Sequence, residues 1–392
     1  MNKLFYQTIR RCSSKKISPK SQSWYLMGTA YNENQIEKNV LNFLRKDLIY
    51  AHRSFFNQYV NEAARALEGE EFFDIRERFK NVCHYNGLDR DQYLCWTMLA
   101  SYELSEEPDE ITQENLKKIS MLAWAFESVG TSLVLTDDLI DSQEIRWKKP
   151  TWYRLPNVGN TVITDIDLLR ITGFYMIRKY FRRQPYYESL CYYLTEICHI
   201  TAVGQTMGIH VSNNFKQHRD INMYNLKKYF QLARYKCYIS IFRSCTLAAL
   251  SLTDTTNEYF KYEHIFEKLG SHGQITNDMH DLFGKYDSFG RGSTDIEEGK
   301  FSWVVSVAVE HANDNQKLLL QKNYGRPEPE CQRIVLDVCK DIDVIQKFYD
   351  YKTQLLDDVR NDLKTVPNQK IANIIENYIN MYIDVNYDFA SY

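Results

Sequence analysis

A chain of 392 residues with 48 Lys and Arg against 51 Asp and Glu has a formal net charge of -3, which excludes nucleic acid as the main partner on electrostatic grounds. Few glycines (15) and prolines (8), and no long apolar/polar alternation, point to an all-α protein with a sizeable core and away from a sheet. The nine cysteines form no CxxC pair, which signals neither a zinc site nor a disulfide framework and makes a reducing compartment the default, and no apolar run approaches the roughly 20 residues that span a bilayer.

The chain opens with MNKLFYQTIRRCSSKKISPKSQS, which carries Lys3, Arg10, Arg11, Lys15, Lys16 and Lys20 and has no acidic residue before Glu33. This is the composition of an organelle transit peptide, most like a mitochondrial one, with a disordered basic tail and a cytoplasmic protein as the alternative. Residues 1-32 are therefore set apart, and 33-392 are expected to form a single domain. Apolar residues three and four apart predict helices in Val60 to Leu67, Leu116 to Thr136, Ile163 to Phe181 and Tyr187 to Met207. Turn signals fall at Glu107-Pro108-Asp109, Lys149-Pro150, Leu155-Pro156-Asn157, Gln184-Pro185 and Gly290 to Ser293. Met121 to Leu135 and Cys237 to Leu250 are apolar nearly all round, which suits central helices of a bundle.

At the end of one such run stand Asp137, Asp138 and Asp141. On a helix the first and last share a face, and like charges so placed cost about 0.2–0.5 kcal/mol even when exposed. Two readings are open: a Mg2+–diphosphate site, since hard oxygen ligands suit Mg2+, or a solvated cluster at a helix end. A second cluster, Asn277, Asp278 and Asp281, repeats the spacing and is followed by Arg291, Asp295 and Lys300. Two such motifs facing each other would hold an oligophosphate, with Arg291 and Lys300 closing over it.

The segments DDLIDSQEIRWKKPTWYRLPNVG, QPYYESL, GQTMG, RYKCY, TDIEEGKFSW and KNYG, in this order, resemble the farnesyl diphosphate synthase family from about residue 35 to beyond 325. The resemblance implies an all-α isoprenoid synthase fold with a central cavity, usually a homodimer, binding an allylic diphosphate through up to three Mg2+ ions and isopentenyl diphosphate through a separate basic site. Carried over, it makes Asp137, Asp138, Asp141, Asn277 and Asp281 metal ligands. Arg146, Lys236, Gln274, Arg291 and Lys300 become contacts of the allylic diphosphate, and Asp137, Asp141, Arg146 and Lys236 the catalytic set. Ser132 and Leu133 stand where the family has bulky residues that limit product length, and Gly208 replaces an aspartate, so these three are expected to shape the cavity. Tyr238 is a candidate aromatic for cation stabilisation.

The isopentenyl site departs from the family. Its GGKxxR motif is replaced by Gly87-Leu88-Asp89-Arg90-Asp91-Gln92, with Asp89 and Gln92 on the cationic positions and Arg90 expected to pair with its acidic neighbours. Trp147 replaces the second arginine after the first motif, Gly130 a glutamine before it, and NYDFASY a basic tail. Asn277 resembles the start of the asparagine-serine-glutamate motif of terpene synthases, with Asp281 and Lys285 on its other two positions. The selective loss implies a Mg2+-dependent class I terpene synthase like those of insects derived from this family. Such an enzyme converts farnesyl diphosphate to a sesquiterpene, a hydrocarbon or an alcohol, often for pheromone biosynthesis. The alternatives are a divergent prenyltransferase and a non-catalytic partner of one.

Overall fold

The computed structural model describes residues 44–67, 69–88, 90, 92–284, 294–385 and 389. The basic leader, Asp89, Asp91, Lys285, Arg291 and most of NYDFASY lie outside the described residues. Helices α1 (Lys46–Ser54), α2 (Phe56–Ala64), α3 (Phe73–Gly87) and α4 (Tyr93–Ser105) surround the long α5 (Gln113–Ile140). α5 starts where Thr112, still extended, accepts a hydrogen bond from the Asn115 N–H, which satisfies one of the orphan donors of a first turn. From Met121 to Ser132 every residue is buried. The helix is apolar and long enough to cross a membrane, yet 83% of its most apolar window is inside the protein, so it is a core helix.

Among the described residues the only strands are the two-residue β1 (Ile145–Arg146) and β2 (Lys149–Pro150), an antiparallel hairpin that follows α5. α6 (Val162–Phe181) then packs on α5 so closely that a Cβ on Gly173 would stand 2.7 Å from the Ala125 carbonyl oxygen. α7 (Tyr187–His218), α8 (Leu226–Ala233), a π-helix (Arg234–Arg243), α9 (Ser244–Leu250), α10 (Thr256–Lys261) and α11 (Glu263–Phe283) complete the central bundle. The short α12 (Asp295–Glu298), α13 (Trp303–His311), α14 (Asp314–Asn323), α15 (Pro329–Asp341), α16 (Val344–Leu363) and α17 (Gln369–Tyr378) close it. Two apolar cores result, one around α4, α5 and α6 and one around α11, α13 and α16.

The expected helices are present with shifted ends. The first stops at Ala64, short of Leu67, whereas the run expected to end at Thr136 continues to Ile140 and the one expected to end at Met207 continues to His218. Beyond Met207 the apolar stripe narrows to Val211 and Phe215, which pack on the second core, while Gly208, Ile209, Ser212, Asn213 and Lys216 line a polar cleft. The expected Cys237 to Leu250 helix divides into the end of the π-helix and α9. Its wide turns are wedged between glycines: a Cβ on Gly204 would stand 2.9 Å from Lys236 Cγ, and one on Gly270 2.7 Å from Tyr238 Cα. Widened turns of this kind occur often at functional sites.

Two histidines are sealed in the cores. His52 stacks on Trp124 at 4.3 Å and His272 on Phe348 at 5.6 Å. Burial lowers both imidazoles to about 3, with Gln92 partly opposing this at His52. The unfolded chain binds these protons from about pH 6.5 and the folded chain only near 3, so the stability they confer is complete above about 6.5 and is lost as pH falls through that window. The loss reaches at most about 1.4 kcal/mol per pH unit for each histidine. Urea midpoints are expected to drop between pH 7.5 and pH 5, and His52→Phe to reduce the drop; equal midpoints at the two pH values would contradict the assignment.

Candidate active site

The C-terminal turn of α5, one face of α7, the π-helix, α11 and the segment 295–302 enclose a cleft of about 220 Å³. α7 contributes Gln205, Gly208, Ile209, Ser212, Asn213 and Lys216, three and four residues apart and hence on one face. Of the residues expected from sequence, Asp137, Asp141, Gly208, Lys236, Gln274, Asn277 and Lys300 line this cleft together.

Asp137 lies in the last turn of α5 and Asp141 caps it, its N–H donating to the Asp137 carbonyl at 2.9 Å. One oxygen of Asp137 accepts from Gln205 Nε2 at 3.1 Å and the other from Arg146 Nη2 at 3.3 Å. Asp141 accepts from Lys300 Nζ at 2.7 Å, and the same ammonium lies 3.4 Å from Asp295. Burial and the charge of Asp137 push the Asp141 carboxyl up, with Lys300 and Lys236 opposing. Burial alone would lower Lys300, but Asp295, Asp141 and Asp137 outweigh it and hold the ammonium well above its ordinary range. Lys300 thus bridges the two acidic segments.

Asp138 is buried and bonded to Arg146 Nε, outside the cleft lining. In the second motif Asn277 is exposed to the cleft, while Asp278 and Asp281 are buried. Asp278 accepts from Gln274 Nε2 at 2.8 Å, the Tyr229 hydroxyl at 2.6 Å and the Trp303 N–H at 2.7 Å; burial raises its carboxyl against these donors and Lys236. Asp281 accepts from the N–H groups of Thr294 at 3.3 Å and Asp295 at 3.1 Å, which fixes the start of α12.

The pocket-shaping expectations are revised. Ser132 is buried with its hydroxyl donating to the Val129 carbonyl at 2.7 Å, Leu133 packs against the core, and neither lines the cleft. At Gly208 a Cβ would meet Leu232 Cδ1 at 3.3 Å, so this position opens little space. Tyr238 is fully buried, 3.2 Å from the Tyr259 hydroxyl and donating to Glu263 at 3.0 Å, and faces away from the cleft. Sequence reading passed over Gln205 and Ser302 as site residues, although Gln205 sits within the quoted GQTMG. Asp278 of the second acidic motif and Asp295 beyond it are also in the lining.

The donor set fits Mg2+. Asp137 and Asp141 present hard carboxylate oxygens to the cleft, four residues apart on one helix end. Among the described residues no three His, Cys, Asp or Glu gather as a metal cage. The protein share of a magnesium shell would be the one or two carboxylates usual for this ion, with water and substrate oxygens supplying the rest.

The segment that resembles the isopentenyl site presents no exposed cation among its described residues. Arg90 is buried and ion-paired with Glu127, with its Nη2 also donating to Thr131 Oγ1 at 2.6 Å. Arg90 is thus tied to α5, while Asp89 and Asp91, its expected partners, lie outside the described residues. Gln92 is buried, donating to the Gly87 carbonyl at 2.7 Å and 3.3 Å from His52 Nε2. Gly130 lies at a helix contact, where a Cβ would meet Leu94 Cδ2 at 3.2 Å. Trp147 sits at the hairpin tip with its ring 5.1 Å from the Arg90 guanidinium and 5.7 Å from that of Arg146. Trp147 and Lys148 have φ of 50° and 63°, a left-handed pair that costs roughly 1–2 kcal/mol per residue without glycine. Two cation–π contacts offset this by about 0.5–2 kcal/mol each. Lys149 and Pro150 anchor the hairpin on Tyr85, whose hydroxyl donates to the Pro150 carbonyl at 2.7 Å while Lys149 lies 4.5 Å over its ring.

An all-helical bundle with acidic residues of two helices facing one cleft defines an isoprenoid synthase fold. Consistent with this, the structure is similar to T. brucei farnesyl diphosphate synthase in complex with a bisphosphonate, with a TM-score of 0.80 at 18% identity, covering 86% of this chain and 99% of that one. Residues 93–342 match the model of the polyprenyl synthetase family, and the chain belongs to that family. It is 27% identical over 307 residues to a farnesyl pyrophosphate synthase of Zea mays, covering 78% of this chain and 87% of the relative. It is 29% identical over 304 residues to a bifunctional chrysanthemol synthase, chloroplastic, of Tanacetum cinerariifolium, covering 77% of each.

Proposed function

We propose that the protein is a class I terpene synthase that ionises farnesyl diphosphate and releases a sesquiterpene and diphosphate, without adding isopentenyl diphosphate. One observation carries this reading: Arg90 is consumed by Glu127 and covered by Trp147, leaving the segment that resembles the isopentenyl site with a neutralised cation and a buried glutamine. Two charge-assisted phosphate contacts are worth roughly 1.5–3 kcal/mol each, so their loss lowers affinity for a second diphosphate by several factors of ten.

In this reading Arg146, Lys236, Gln274 and Lys300, joined by Arg291, grip the allylic diphosphate. Asp137, Asp138, Asp141, Asn277 and Asp281 are the proposed Mg2+ residues, with Asp137 and Asp141 the two whose placement in the cleft favours direct ligation. Bound Mg2+ would neutralise charge on the departing diphosphate. The cleft of about 220 Å³ is below the roughly 300–1,000 Å³ of typical ligand pockets, so the substrate must part Lys300 from Asp141, exchanging a carboxylate for a phosphate as the ammonium's partner. With no second substrate, the allylic cation reacts within its own chain or with water. The same reading takes up a homodimer, mitochondrial import by the leader and a role in pheromone biosynthesis.

The farnesyl pyrophosphate synthases among the relatives favour a second reading, prenyltransfer. The two are separated by incubating the purified protein with Mg2+ and farnesyl diphosphate in one tube and with isopentenyl plus dimethylallyl diphosphate in another. Gas chromatography is expected to show a sesquiterpene from the first. Chain elongation in the second with no volatile product in the first would support prenyltransfer and overturn the proposal.

A further inference from the structure

We propose that Trp147 is a positioning residue for the first acidic motif, holding Arg146 against Asp137 and Asp138 by bridging it to the buried Arg90. Four observations converge on it. The indole lies within 5.1 Å of one guanidinium and 5.7 Å of the other, so one ring serves two cations. Both cations are tied to the same helix: Arg90 to Glu127 and Thr131, Arg146 to Asp137 and Asp138. The arginine side chains are mostly withdrawn from water, 4% and 14% exposed, where a cation–ring attraction is least screened. Finally, the tip that presents the ring adopts two successive left-handed residues without glycine, a conformation that persists only where its surroundings determine it and that tends to mark functional sites.

The consequence is that the residue standing where the family resemblance places a second phosphate-binding arginine now fixes the remaining arginine. Arg90, Trp147 and Arg146 form a continuous chain of contacts from mid-α5 to its C-terminal turn, so Arg146, bonded to the cleft residue Asp137, is held oriented before any ligand enters. Its guanidinium needs no reordering on binding, which is the usual route by which a supporting residue improves affinity.

The test is a series at one position, Trp147→Tyr, Trp147→Phe and Trp147→Leu. Phenylglyoxal modification of Arg146 in the unliganded protein, followed by peptide mass spectrometry, reads the positioning directly. The rate is expected to rise in the order Trp, Tyr, Phe, Leu, reaching about tenfold in Leu. In parallel, titration with inorganic pyrophosphate and Mg2+ is expected to weaken in the same order, and Trp147→Leu in an Arg146→Lys background to cause little further loss, because the two residues act as a unit. The Tyr and Phe variants retain a ring, so the series is informative even when the Leu variant does not fold. An Arg146 modification rate unchanged across the series, or losses of pyrophosphate affinity that add in the double variant, would overturn the proposal. The inference rests on the cleft being a diphosphate site. Failure of the unaltered protein to bind pyrophosphate would count against that reading, while the modification rates would still decide the role of Trp147.

Discussion

Replacing Arg90 by methionine is expected to cost about 3–5 kcal/mol of folding stability, the penalty for breaking a buried ion pair from one side. Glu127, 2% exposed at its side chain, would be left charged or protonated in a core with the Cys95 N–H donating to its carboxylate at 3.3 Å. Urea unfolding of the single variant measures this. The double variant Arg90→Met with Glu127→Leu is expected to recover most of the loss, since apolar replacement of a buried pair is often neutral or better. It should fall short by about 1–3 kcal/mol because the Cys95 amide loses its acceptor. The result separates two roles for one residue. An arginine that grips substrate is dispensable for stability and costly for KM; one that neutralises a core glutamate is the reverse.

Asp137→Ala is expected to lower turnover by at least about 10²-fold while leaving stability nearly unchanged. The first effect follows because metal-assisted charge neutralisation is worth several kcal/mol in the transition state. The second follows because the Asp137 side chain is 30% exposed and its charge opposes ionisation of Asp141, so its removal relieves repulsion as it loses contacts with Arg146 and Gln205. Asp138→Ala is expected to differ in kind. Its carboxylate is 3% exposed and paired with Arg146, so the substitution strands a guanidinium and lowers both stability and activity. Steady-state rates beside unfolding curves for the two variants check this; equal loss of stability would contradict the separation.

The contrast between those two neighbours marks what was legible in the sequence. Helical periodicity places Asp137 and Asp141 on one face, and the repeated spacing at Asn277 points to a partner motif, so the cleft and its charged lining were readable in part. Which carboxylates turn inward was not. Asp138 and Asp278 lie one step round their helices, and their burial depends on Arg146, Tyr229 and Trp303, supplied from other parts of the chain. The pairing of Arg90 with Glu127 was hidden for the same reason, because Glu127 arrives on another helix. The π-helix was invisible because Cys237 to Leu250 is nearly apolar all round and has no clear polar face whose drift would betray a wider turn. Ser132 was read as a cavity residue from its size, yet its exposure depends on helix packing that size does not report.

The central claim is that one diphosphate site is retained and the other is closed. Calorimetric titration of the purified protein with isopentenyl diphosphate tests it most directly, with inorganic pyrophosphate and Mg2+ titrated separately as the control for the retained cleft. The account predicts saturable pyrophosphate binding and no saturation by isopentenyl diphosphate up to about 1 mM, where a free energy of binding would be only about −4 kcal/mol. Saturable isopentenyl diphosphate binding in the micromolar range, weakened by Arg90→Met, would contradict it.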